Sequence, residues 1–72
     1  MNKETLIEFI ISKMNELEIE RISENCFYLV TDQIYHYEFV IGDTEVKKIC
    51  NHLMLGEDEE YISFSDCAGY FC

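Results

Sequence analysis

The chain has 72 residues, fifteen of them acidic against five basic, and a formal net charge of −10. That balance argues against direct binding to nucleic acid or to an anionic membrane, since both want Lys and Arg. A hydrophobic fraction of 49%, with five Tyr, five Phe and no Pro, equally excludes a disordered acidic tail; the chain reads as a single domain spanning 1–72 whose core has to be economical, because at this size only about 60% of the unfolded surface is buried.

The opening segment MNKETLIEFII has its apolar run broken by Glu8, and no small-residue cleavage site follows, so it reads as a helix rather than a secretory signal. No stretch approaches the ~20 apolar residues of a membrane span, and the expected location is the cytoplasm. The first helix is expected over roughly residues 3 to 18, where Leu6, Ile7, Ile10, Met14 and Leu17 recur at helical spacing. Asn2, or Thr5 with Glu8 as a capping box, can close its first turn. Residues 18–25, EIERISEN, lose the helical period and read as a connection, with an extended segment around Ile19 to Ile22.

Cys26 to Gly42, CFYLVTDQIYHYEFVIG, reads as a β-hairpin bent at Asp32 and Gln33, rich in the β-branched and aromatic residues that suit a pleated surface. In its second arm Tyr35, Tyr37, Phe39 and Ile41 share one face, and Ile34, His36, Glu38 and Val40 share the other. An isolated hairpin is marginal in water and needs a cover. A second helix is expected from Asp43 or Thr44, with Val46, Ile49, Cys50 and Leu53 as its apolar face, Lys47 and Lys48 on its flank and Gly56 as its stop. Glu57 to Glu60 read as an acidic loop and Tyr61 to Ser65 as a short third strand. The expected architecture is therefore α+β in the order α-β-β-α-β, a three-stranded antiparallel sheet with helices packed on it.

The residues that carry chemistry elsewhere form no persuasive pattern here, and the chain reads as a protein without catalytic residues, metal or cofactor. Cys50 and His52 with Cys67 and Cys72 depart from the tight Cys pairs of structural zinc sites. Cys26 and His36 sit on opposite arms of the hairpin but are not directly opposed, and no glycine-rich turn is present to build an oxyanion hole. The glycines are Gly42, Gly56 and Gly69, which form no phosphate-cradling motif.

The acids are segregated as well as abundant. Residues 22–46 and 49–72 contain no Lys or Arg, while carrying Glu24, Asp32, Glu38, Asp43, Glu45, Glu57, Asp58, Glu59, Glu60 and Asp66. Carboxylates two apart on a strand stand at separations comparable to successive phosphates, and the tyrosines can add stacking on arginine.

In length, net charge, aromatic content and lack of a catalytic signature the chain resembles the small acidic inhibitors of phages and other mobile elements, among them anti-CRISPR and antirestriction proteins that mimic DNA. The resemblance is one of character and rests on no alignable motif, so no residue roles are carried over from it. It implies a non-enzymatic inhibitor whose partner is a protein with a basic nucleic-acid-binding groove, such as a CRISPR effector nuclease or a restriction enzyme. Asp32, Glu38, Asp43, Glu45, Glu57, Asp58, Glu59 and Glu60 are the expected contacts. The alternative is a small regulatory adaptor that binds through its apolar C-terminal segment, Tyr70, Phe71 and Cys72 with Ile62 and Phe64, as a strand added to a partner's sheet.

Overall fold

The computed structural model describes residues 1–31 and 34–72. They form helix α1 (Lys3–Ser12), strands β1 (Ile19–Ser23), β2 (Cys26–Val30), β3 (Tyr35–Ile41), β4 (Val46–His52) and β5 (Gly56–Ile62), and helix α2 (Phe64–Gly69). The strands make one antiparallel sheet in the order β1-β2-β3-β4-β5, so each pairs with its neighbours in sequence. Asp32 and Gln33, the expected bend of the hairpin, lie outside the described residues.

Alternation decides which side of the sheet is covered. Phe27 and Leu29 of β2, Phe39 and Ile41 of β3, and Val46 of β4 point to one face and are buried there against Leu6 and Ile10 of α1, Cys67 and Ala68 of α2, and Phe71. Both helices thus lie on the same side, and among the described residues no helix covers the other face. Asn2 provides the α1 cap, accepting from the Thr5 amide at 2.8 Å, and Ser63 caps α2 through the Asp66 amide at 3.0 Å.

The hairpin of β2 and β3 is as expected, with Tyr37, Phe39 and Ile41 inward and His36, Glu38 and Val40 outward. The three-stranded α-β-β-α-β sheet is not: the sheet has five strands, and the middle helix does not exist. The segment from Asp43 to Gly56 looked helical because Val46, Ile49, Cys50 and Leu53 recur at helical spacing. In β4 the residues alternate instead, Val46, Lys48 and Cys50 toward the helices and Lys47, Ile49 and Asn51 away. An inward lysine hides that period of two.

Glu57 to Glu60 are likewise not a loop but the body of β5. Asp and Glu are poor strand formers in general, yet an edge strand tolerates them, and charge there discourages pairing with other chains. β5 ends at Ile62, so the expected strand through Ser65 gives way to α2 from Phe64 onward. The connection after the first helix holds β1, where an extended segment was anticipated, and α1 itself stops at Ser12, short of residue 18.

Candidate protein-interaction surface

The strand register sets out the bare face in rows. The central row runs Glu20, Tyr28, Glu38, Ile49 and Glu59, one residue from each strand. Toward the 53–55 turn the next row is Val30, His36, Asn51 and Glu57; toward the 42–45 turn it is Cys26, Val40, Lys47 and Tyr61. Neighbouring strands stand about 4.8 Å apart and same-face residues about 6.8 Å apart along a strand. The central row therefore places three carboxylates on alternate strands, roughly 10 Å apart, with a tyrosine and an isoleucine between them.

Lys47 is the cation that these rows contain. It pairs with Glu59 at 3.3 Å, and the hydrogen bond and charge of Glu59 raise its pKa above the ordinary lysine value. Glu20, Glu38 and Glu57 have no ion pair among the described residues. The face is consequently anionic, with aromatic groups set into it.

Two contacts organise the β2–β3 half. The Tyr28 hydroxyl and His36 Nδ1 are 2.6 Å apart, with their rings edge to face. Partial burial, and then the charge and hydrogen bond of Glu38, push the Cys26 thiol up from its ordinary value. A thiol held protonated is a poor nucleophile. The register also puts Cys26 and His36 four residues apart along the sheet, roughly 13 Å, so no nucleophile–base pair forms there.

The covered side has a different electrostatic arrangement. Lys48 lies among aromatic rings, its ammonium 5.1 Å from the Tyr70 ring centre and 5.8 Å from that of Tyr37. It donates to the Tyr70 hydroxyl at 2.9 Å and pairs with Glu60 at 2.8 Å. Burial acts to lower its pKa, but Glu60 and Tyr70 outweigh burial and hold it well above the usual lysine range. The aliphatic stem fills space while the charged end is met by partners.

The expected contact residues are thereby sorted. Glu38, Glu57 and Glu59 face the bare side, while Asp58 and Glu60 face the helix side, Glu60 being engaged with Lys48. Asp43 and Glu45 occupy the β3–β4 turn, where Asp43 meets Lys3 at 3.3 Å. Asp32 lies outside the described residues. Glu20 joins the face unanticipated, because a five-residue strand containing Glu20, Arg21 and Ser23 gives little alternation to detect.

The cysteine and histidine set weighed for zinc is dispersed. Cys50 and His52 share the helix side of β4, Cys67 is buried in α2, and Cys72 is exposed and donates to the Ala68 carbonyl at 3.4 Å. All four cysteines are free thiols, and among the described residues no three His, Cys, Asp or Glu side chains are grouped to hold a metal. His52 Nδ1 is already the acceptor for the amides of Met54 and Leu55, at 3.1 and 3.0 Å. At the C-terminus Phe71 is fully buried and Tyr70 half-buried over Lys48. No helix among the described residues is long and apolar enough to cross a membrane. No protein-family model, curated protein or solved structure matches the chain.

Proposed function

We propose that this chain is a non-enzymatic inhibitor that occupies the basic nucleic-acid-binding site of a defence nuclease, a CRISPR effector or a restriction enzyme, in the cytoplasm of the host cell. The observation that supports it is the bare sheet face, on which Glu20, Glu38 and Glu59 stand in one row and Glu57 in the next, with Lys47 as its one cation among the described residues. Regularly spaced carboxylates on one sheet face complement a groove whose Lys and Arg otherwise hold phosphates. Tyr28 and Tyr61 on the same face offer flat amphipathic rings on which arginine can stack.

The test is the variant Glu20→Lys/Glu38→Lys/Glu57→Lys in a DNA-cleavage assay with purified RNA-guided and restriction nucleases. These three carboxylates are chosen because none supports an internal ion pair, whereas reversing Glu59 or Glu60 would disturb Lys47 or Lys48. At about 1 kcal/mol per lost pair, inhibition should weaken on the order of 100-fold, with the melting temperature retained. Inhibition by the wild type should also fall as salt rises, because exposed pairs are screened within about 8–10 Å. Equal potency of the variant and the wild type would remove the bare face from consideration.

A further inference from the structure

The β4–β5 turn presents Leu53, Met54 and Leu55 in succession, and they are 83%, 85% and 82% exposed. Three adjacent large apolar side chains so fully in water differ from the scattered exposed residues of an ordinary surface. Nor is the turn loosely held. His52 Nδ1 accepts the amides of Met54 and Leu55, the Leu53 amide donates to the Ile34 carbonyl at 3.2 Å, and Gly56 closes the turn at a φ of +91° that favours glycine. Ile34, itself 44% exposed, lies alongside.

We infer that this turn is a docking prong whose Leu53, Met54 and Leu55 enter an apolar cleft bordered by lysine or arginine on a partner protein. Its surroundings select that occupant. Glu57 and Asp58 follow directly on β5, one on each face of the sheet, and residues 49–72 contain no Lys or Arg, so the strand that leaves the apolar tip is anionic. An anionic bilayer repels those carboxylates, and a second copy brings the same carboxylates and a second net charge of −10 against them. A cleft with a cationic border matches both the tip and its rim. The backbone of this hydrogen-bonded turn loses little freedom on insertion, and methionine adapts to irregular apolar walls. The cationic border rests on the function proposed above; the apolar insertion does not.

The experiment places a photo-crosslinking amino acid, p-benzoylphenylalanine, at position 54 of the full chain, irradiates it in host extract and maps the linked peptide. The expected contact lines an apolar cleft with Lys or Arg at its edge. With that partner purified, Leu53→Ser/Leu55→Ser should lower affinity at least about 30-fold and do so even at about 0.5 M salt, where exposed charge pairs are screened. The variant's melting temperature should not fall, since both side chains are already in water. Cross-links to a second copy, to phosphatidylcholine–phosphatidylglycerol vesicles or to nothing overturn the inference, as does unchanged affinity. If the Leu53/Leu55 variant binds weakly while the Glu20/Glu38/Glu57 variant binds normally, the prong stands and the mimicry of nucleic acid falls; the reverse result separates them the other way.

Discussion

Phe39→Ala is expected to remove about half of the domain's stability at room temperature. Phe39 is fully buried at the centre of β3, with ring centres 5.2 Å from Phe71, 5.4 Å from Tyr70 and 6.1 Å from Tyr37. It therefore joins the middle strand to the C-terminal segment as well as filling the core. Truncating such a residue costs about 3–5 kcal/mol, against a total stability of roughly 4–10 kcal/mol for a chain of this size. Val40→Ala, next in sequence but on the bare face, should cost under about 1 kcal/mol. Urea titrations followed by far-ultraviolet circular dichroism compare the two, and similar midpoints would mean that the core does not lie on the Phe39 side.

Alkaline conditions should destabilise the protein through Cys67. Burial in α2 pushes its thiol up to about 12, from an ordinary value of 9.0. Between those values the unfolded chain has released a proton that the folded chain retains, so stability is complete below pH 9 and falls as pH rises toward 12. At about 1.36 kcal/mol per unit, the loss is roughly 2–3 kcal/mol by pH 11. Lys48 acts in the same direction from about pH 10.4 upward, because its folded-state pKa is also raised. Thermal melts under reducing conditions from pH 8 to about 11 test this. Cys67→Ala should melt lower at neutral pH, through lost packing, but decline less steeply above pH 9; parallel curves for the two proteins would show that the thiol does not govern this window.

How much of this was readable in the amino-acid order depends on where the inward residues are apolar. The β2–β3 hairpin and the start of α1 were legible because Phe27, Leu29, Phe39 and Ile41, or Leu6 and Ile10, repeat at the period of their element. β4 was not, because Lys48 turns inward at a position where the pattern requires an apolar residue, and its partners Glu60 and Tyr70 lie 12 and 22 residues away. β5 was hidden by its composition, since Glu57 to Glu60 gain their strand from pairing with β4 rather than from their own preference. The acidic character of the site was plain from the count of charges. Its division between two faces was not, because a helix or loop assignment for 44–60 scrambles which carboxylates share a side. The prong is hidden for the same reason, because a helix that stops at Gly56 takes Leu53 into its apolar face.

The strictly sequential order of the strands also bears on how the chain reaches its native state. No more than four residues separate successive strands along the chain, so the sheet can zip up one strand pair at a time with little loop entropy to overcome. Such low contact order favours folding in milliseconds rather than seconds. The contact of α1 with α2 brings residues far apart in sequence together and seals the core; without it the sheet's apolar side would stand open to water.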